Sequence, residues 1–167
     1  MAIDAFLKLD SITGESTDAN HAGEIHIKEW SWEMSNTSSV SHGTGIATGK
    51  VQVGELCIKK DTDSSTAALI TSITLGKHIK NGKLTLRKAT GTAGGQLDYL
   101  TLEMNDVWVT GFDQDMSDEE EGLTESVKLA FVGFQLTYTQ QKNDGSAGTK
   151  YPVGYNLKKN NTDWQSV

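Results

Sequence analysis

The stretch ESVKLAFVGFQLTYTQ, residues 125–140, has the pattern of a β-strand whose apolar side changes partway along its length. Before Gly133 the apolar side chains occupy odd positions, at Val127, Leu129 and Phe131. After Gly133 they occupy even positions, at Phe134, Leu136 and Tyr138. Because successive side chains of a strand point to opposite faces, the step from 131 to 134 exchanges the buried face. The stretch therefore predicts one strand with two buried faces.

The same exchange recurs in three other stretches, EIHIKEWSWEM (24–34), KVQVGELCIKK (50–60) and YLTLEMNDVWVTGF (99–112). Two of the four exchanges fall at a glycine, Gly54 and Gly133, the residue favoured at bulges and sharp bends. The pattern predicts long strands that bend and close into a small barrel. In a second interpretation, one half of each strand faces a neighbouring subunit. At Asn105 and Asp106, two short strands joined by a tight turn are a further alternative.

One stretch, DSSTAALITSITLGKH, has the pattern of a helix, predicted over residues 65–75. Candidate caps are Asp63, Ser64 and Ser65, whose side-chain oxygens can accept bonds from free backbone N–H groups. An apolar stripe is predicted at Leu69, Ile70 and Ile73. Gly76, followed by two basic residues, is a predicted helix end. One helix among about eight strands predicts a mainly β protein, a barrel or sandwich with a flanking helix.

Two long segments lack strand or helix periodicity. In the first, residues 35–50, most positions are Ser, Thr, Gly or Asn, and a loop of this length inside a domain is usually functional or disordered. The second, residues 139–164, contains Pro152, the single proline of the chain, and is predicted to be irregular. No internal repeat and no domain boundary are found, so residues 1–167 are predicted to form one domain.

Composition excludes several functions. The 167 residues carry a net charge of −7 and a pI near 5.0, which disfavours nucleic acid or an anionic membrane as a partner. Cys57 is the single cysteine, so no intrachain disulfide can form. The N-terminal MAIDAFLKLDS lacks a basic start and a long apolar run, and no segment has the length of a membrane span. Synthesis as a soluble cytoplasmic protein without a signal peptide is expected.

No catalytic or metal-binding constellation is recognised, and the protein is predicted not to be an enzyme and to need no cofactor. Asp113, Asp115 and Ser117 match the first ligand positions of a calcium loop, but Asp118 replaces its glycine and Thr124 its final glutamate. A solvated charged loop is the alternative for this acidic run. The histidines at 21, 26, 42 and 78 have no paired metal spacing.

The chain resembles the Hcp proteins, the tail-tube component of bacterial type VI secretion systems. The similarity begins at FLKLDSITGESTDANHAGEIHIKEWSWEMS and continues through GKVQVGEL, IKKDTDSSTAALITSITLGKHI, LTLRKATG, DYLTLEMNDVWV and LTESVKLAF. It ends with QKNDG and GYNLKKN, and so spans nearly the whole chain in order. Two residues depart from the family pattern, Glu33 in place of a glycine and Ala67 in place of a helix-starting proline.

The resemblance implies a two-sheet β-barrel with one flanking helix, similar to phage tail-tube proteins. It implies a homohexameric ring, rings stacked into a hollow tube, and secretion through the type VI system, with a role in virulence. The implied partners are copies of the chain itself, spike and sheath proteins, and small effector proteins chaperoned in the lumen. No C-terminal toxin extension is recognised.

The resemblance also implies roles for particular residues. The extended loop is expected to reach a neighbouring subunit or ring through Ser35, Asn36, Thr37, Ser38, Ser39, His42, Gly43, Gly45 and Gly49. If Trp30 and Trp32 point into packing, the expected lumen-facing residues are Glu29, Ser31 and Glu33. The alternative is that the two tryptophans are ordinary core aromatics and Ser31 is an ordinary surface residue. The alternative functions are a monomeric β-barrel that binds a small apolar ligand, and a hydrolase that uses the acidic run.

Overall fold

The computed structural model describes residues 3–36, 49–91, 95–116 and 122–165, which form ten strands and one helix. The strands are β1 (Ile3–Leu9), β2 (Ile25–Ile27), β3 (Glu29–Ser31), β4 (Met34–Asn36), β5 (Val51–Val53), β6 (Leu56–Asp61), β7 (His78–Ala89), β8 (Gln96–Met116), β9 (Leu123–Gln141) and β10 (Ala147–Asn156). The helix α1 spans Thr66–Thr74.

Eight of the strands form one antiparallel sheet, in the order β2-β1-β7-β8-β9-β6-β3, with β10 paired to β9 outside this path. Lys28 lies between β2 and β3, and its backbone N–H donates to the carbonyl of Lys59 on β6 at 2.8 Å. Lys28 thus joins the two end strands of the sheet, β2 and β3, directly, and the sheet curls into a nearly closed barrel. The predicted mainly β barrel with a flanking helix is confirmed, and the second sheet is the small β4–β5 ribbon.

Two of the predicted face exchanges lie inside continuous strands. β8 and β9 run unbroken past Asn105 and Gly133, which face each other in the ladder. Met104 and Phe134 are buried on one side of this row, and Val107 and Phe131 are buried on the other. Asp106 has a φ of 49°, in the left-handed region. The tight-turn alternative at Asn105 and Asp106 is therefore wrong, and we call this row the crease.

The other two exchanges are breaks between strands. β2 pairs with β1 whereas β3, which follows directly after Lys28, pairs with β6. β5 pairs with β4 in the ribbon, and after Gly54 the chain enters β6, which pairs with β9. In both places the chain changes partner strand, and the buried face changes with it.

Helix α1 has the predicted position, and its apolar side follows the prediction at Leu69 and Ile73 but not at Ile70. The Asp63 carboxylate accepts the Ser65 backbone N–H at 2.9 Å, whereas Ser65 itself makes no side-chain capping bond. Leu69 is fully buried, but Ile70 is 39% exposed, so the predicted stripe is wrong at Ile70. Residues three and four apart share a helix face, and the buried side is formed by Leu69 and Ser72.

A buried ionic network fastens α1 to the barrel. The Lys60 ammonium and the Glu125 carboxylate are both fully buried and lie 2.7 Å apart. Lys60 Nζ also lies 2.9 Å from Asp63 Oδ1, and the Thr66 hydroxyl donates to Glu125 Oε1 at 2.8 Å. Gln114 of β8 donates to the same carboxylate at 3.3 Å. The network thus connects the N-terminus of α1 to three strands.

The second segment predicted to be irregular is largely regular. β9 continues to Gln141, and Ala147–Asn156 forms β10 in antiparallel register with it. Pro152 lies in β10, which has β9 as its single paired neighbour among the described residues. An edge strand tolerates proline because one side of its backbone has no ladder partner.

Candidate functional site

The three residues expected to face a lumen share one exposed face. Glu29, Ser31 and Glu33 are exposed, while Trp30 and Trp32 between them are half-buried. The Trp32 ring packs against Phe134 with centroids 4.9 Å apart, and its Nε1–H donates to the Gly54 carbonyl at 3.0 Å. Anchoring of the two tryptophans in the core therefore directs the three polar side chains outward. That this face lines a channel stays a prediction.

The exposed side of this sheet contains a polar depression of about 560 Å³, lined by Ser31, Trp32, Glu33, Glu55, Cys57 and Lys128. The row of paired residues across it runs from Ser31 through Cys57 to Lys128 and Gly111. The Lys128 side chain lies over Gly111, where a Cβ would stand 3.0 Å from its Cδ. The depression therefore presents two carboxylates, an ammonium group and a hydroxyl to solvent.

Strands β9 and β10 expose apolar side chains. Tyr138, Tyr151 and Val153 are 44%, 55% and 57% exposed, and we call them the β9–β10 patch. The two tyrosine rings stack with centroids 6.2 Å apart. Sequence reasoning missed this patch because β10 was predicted to be irregular, although Tyr151, Val153 and Tyr155 alternate as in a strand.

The predicted inter-subunit loop is described only at its ends. Ser35 and Asn36 belong to strand β4, so the loop begins later than expected. Asn36 pairs with Val51 of β5, and the chain therefore leaves and re-enters the ribbon at one place. Gly49 precedes β5, whereas Thr37, Ser38, Ser39, His42, Gly43 and Gly45 lie outside the described residues.

A second polar cluster surrounds Arg87, which is only 2% exposed. Its guanidinium donates two hydrogen bonds to the Asp18 carboxylate and lies 4.9 Å from the centroid of the Phe6 ring. These Arg87 hydrogen bonds, followed by the backbone N–H of Asn20, hold the pKa of Asp18 far below its ordinary value. The His21 ring stacks on the Phe6 ring, with the two centroids 4.4 Å apart. The cluster ties the loop after β1 to β7.

The residues considered for metal binding are dispersed. Asp113 and Asp115 lie in strand β8, and Ser117 is outside the described residues. His78 Nε2 lies 2.6 Å from Asp106 Oδ1, and His21 Nδ1 lies 2.9 Å from Glu24 Oε2. Within the described ranges, no group of three or more His, Cys, Asp or Glu side chains is arranged to hold a metal ion. Nor does any described helix have the length and apolarity to cross a membrane.

Comparison with known proteins identifies the family of this chain. Residues 6–138 match the family described as type VI secretion system effector, Hcp. Protein hcp1 of Pseudomonas aeruginosa is 40% identical over 161 residues, which cover 96% of this chain and 98% of hcp1.

Solved structures agree with the family match. The crystal structure of Hcp1 from Salmonella typhimurium has a TM-score of 0.77 at 30% identity, covering 96% of this chain and 99% of that one. A structure described as a type six secretion system protein has a TM-score of 0.87 at 26% identity, with the same coverage of 96% and 99%. Family match, sequence identity and fold together show that this chain belongs to the Hcp family of type VI secretion proteins.

Proposed function

We propose that this chain is the structural subunit of a type VI inner tube. Six copies form a ring, rings stack into a hollow tube, and the tube is exported together with effector proteins held in its lumen. Spike and sheath proteins of the same system are the other partners. The proposal assigns the chain no catalytic step, no nucleic-acid partner and no insertion into membranes.

The observation that carries the proposal is the β9–β10 patch beside a free sheet edge. Exposed apolar side chains next to an unpaired edge strand are a liability for a monomer, and they are usually covered by another chain. Among the described residues β10 pairs with β9 alone, and Tyr151 and Val153 lie on β10 with Tyr138 of β9 directly beside them. A neighbouring copy that covers them would remove apolar surface from water and stabilise the ring.

The exposed side chains in β3 and just after it support the cargo role. Glu29, Ser31 and Glu33 are short or polar side chains directed away from the core. A channel wall of this kind offers hydrogen bonds but little apolar contact, so cargo would be held weakly and released readily. Secretion would follow from the tube's ejection, with the subunit made in the cytoplasm.

Native mass measured by light scattering tests the ring. We expect a mass near six times 18.1 kDa, and rings visible by electron microscopy. Tyr151→Lys combined with Val153→Lys should shift the protein toward monomer, because two ammonium groups would be desolvated at the contact. Lys159→Glu, on the exposed turn after β10, is the control that should keep the ring. A wild-type monomer at every concentration would overturn the proposal.

A monomeric barrel that holds a small apolar ligand is the competing function. Leu7, Leu84 and Leu129 fill the described core with no exposed area, so no specific observation favours a ligand there. Secretion has its own test. The protein should reach the culture medium only when the type VI system is intact, and a cytoplasmic marker protein should stay in the cells.

A further inference from the structure

Strand β10 has an outer edge that pairs with no described strand, because β9 is its single neighbour. At the end of β10 the Leu157 N–H donates to the Val132 carbonyl on β9 at 2.8 Å, whereas the Asn156 N–H donates to the carbonyl of Asn161 in the following turn at 2.8 Å. The register between β10 and β9 is unbroken from Lys150 to Asn156. Since alternate residues of such a strand direct their backbone groups to opposite sides, odd-numbered residues of β10 bond to β9 and even-numbered residues point outward.

The outward row of backbone groups lacks a donor at its centre. Its residues are Lys150, Pro152, Gly154 and Asn156. Proline has no backbone N–H, and the N–H of Asn156 is already bonded to the turn. The two remaining N–H groups are four residues apart, which corresponds to about 14 Å along the strand. A strand added along this edge would therefore leave its central carbonyl without a donor.

Two further features protect the same edge. Lys150 is exposed, so its ammonium group lies beside the outward row. The turn at residues 157–161 occupies the end of the row, where Asn156 and Asn161 form an isolated bridge. Proline, lysine and a covering turn are means by which natural proteins prevent the addition of another strand to a sheet edge. β10 thus combines all three within seven residues.

The edge needs this protection because the β9–β10 patch lies directly beside it. Two copies related by a twofold axis could pair their β10 strands in antiparallel fashion. Tyr151 and Val153 of both copies would then lie side by side on one face of the joined sheet. Such a contact uses the same surface on both copies and closes as a dimer, whereas a ring requires two different surfaces that meet head to tail.

We propose that Pro152 is a specificity-determining residue of assembly. By removing the central donor of the outward row, it disfavours the twofold pairing of β10 strands. The β9–β10 patch then stays available to a different surface of the next copy, which covers it through side chains and not through a backbone ladder. The block on the edge is independent of the ring, and the second step rests on the proposed ring.

Restoring the missing donor tests the block. Pro152→Thr supplies an N–H and a residue that is common in strands. Because each copy regains one donor, we expect dimers near twice 18.1 kDa, at the expense of rings, at a protein concentration at least about tenfold below that needed by wild type. Light scattering after size-exclusion chromatography across a dilution series measures the species. Pro152→Ala, which restores the N–H without a branched side chain, should act in the same direction.

Two controls separate the N–H from the side chain. Gln96→Thr introduces threonine at an exposed residue of β8 that lines a polar cleft together with Pro152, and it should assemble like wild type. Lys150→Pro with Pro152→Thr moves the proline two positions along the outward row. The N–H lost at residue 150 points away from β9, so the ladder between β9 and β10 is kept. This double variant should suppress the dimers again.

Hydrogen exchange of residues 148–156, followed by mass spectrometry, reports on the edge directly. In wild type the amides of Lys150 and Gly154 have no described partner strand and should exchange rapidly, in the assembled protein as well. In the Pro152→Thr dimer these two amides should exchange at least about tenfold more slowly, because they would bond to the second copy.

The outcomes separate the block from the ring. Pro152→Thr and Pro152→Ala variants that both keep the wild-type distribution of species overturn the block. So do dimers in which the two amides still exchange rapidly, and dimers that persist in the double variant. Slow exchange of both amides in the wild-type ring would show that another strand already pairs there, and it would overturn the block as well. A monomeric wild-type protein that dimerises on Pro152→Thr overturns the ring and leaves the block intact.

Discussion

The carbonyl oxygen of Trp164 lies 2.1 Å from the place where a Cβ on Gly133 would stand. Asn105 Oδ1 lies 2.3 Å from the same place, so two polar atoms occupy the space that a side chain at residue 133 would need. Strand β9 can pass beneath the C-terminal segment here because residue 133 has no side chain. The glycine at which the apolar pattern changes thus has a steric reason to be there.

Substitution of this glycine should destabilise the fold. We expect Gly133→Ala to lower the free energy of unfolding by about 1–3 kcal/mol, since β9 or the Trp164 backbone must move to relieve the overlap. Gly91→Ala is the matched control, because a Cβ there has no heavy atom within 4 Å. Chemical denaturation measures both. Equal midpoints for Gly133→Ala and wild type would contradict the steric explanation.

Removal of one partner from the buried Lys60–Glu125 pair should be more damaging. Lys60→Met leaves the Glu125 carboxylate buried without its ammonium partner, and we expect a loss of about 3–5 kcal/mol in unfolding free energy. Lys60→Met with Glu125→Leu should recover part of that loss, since the fully buried carboxylate is removed with its partner and only Asp63, which is 12% exposed, loses an ammonium contact. The control is Lys83→Ala, which breaks the exposed Lys83–Glu103 pair and should change stability by at most about 1 kcal/mol. A Lys60→Met variant as stable as the control would refute the prediction.

The Asp18–Arg87 pair should contribute to acid sensitivity. The pKa of Asp18 is lowered in the folded protein, chiefly by hydrogen bonds from Arg87. A group with a lowered folded pKa stabilises the fold above its ordinary pKa of 3.8, and that contribution is lost as the pH falls through the folded value. Asp18→Asn should therefore be less stable than wild type near neutral pH and lose less stability on acidification. Melting temperatures between pH 2 and pH 6 measure the two slopes, and parallel slopes would contradict this assignment.

Ser31 should affect cargo without affecting the ring. Ser31→Ala removes a hydroxyl from the exposed face of β3, and Ser31→Trp adds bulk there, so we expect both to change effector retention by purified rings. Lys159→Trp adds similar bulk on the exposed turn after β10 and should leave retention unchanged. Co-purification of effector with ring measures retention, and light scattering confirms the ring mass. Unchanged retention in both Ser31 variants would argue against a cargo-facing β3.

Much of the fold is readable from the sequence because apolar periodicity directly records which side of a strand is buried. The four face exchanges were all found, but the sequence could not distinguish the crease at Gly133 from the partner change at Lys28. Both interrupt the alternation in the same way. Helix α1 was located from its caps and spacing, and the error at Ile70 arose because adjacent helical residues point in directions about 100° apart.

Other features depend on contacts that no local pattern records. Lys60 and Glu125 are 65 positions apart, and each alone looks like an ordinary surface residue of an alternating strand. β10 was missed because its single proline and polar residues hid the alternation of Tyr151 and Val153. A hairpin could have been predicted from the turn residues that precede β10, Asn143, Asp144 and Gly145. The β9–β10 patch became visible only after these strands were placed.

The uninterrupted course of β8 and β9 has a mechanical consequence. The 21 residues of β8 correspond to a contour of about 66 Å, and the 19-residue β9 is paired along it. A force applied along these strands therefore acts on one continuous hydrogen-bonded ladder. In the tube proposed above, this continuous pair of strands would help each subunit resist a force along the strand direction.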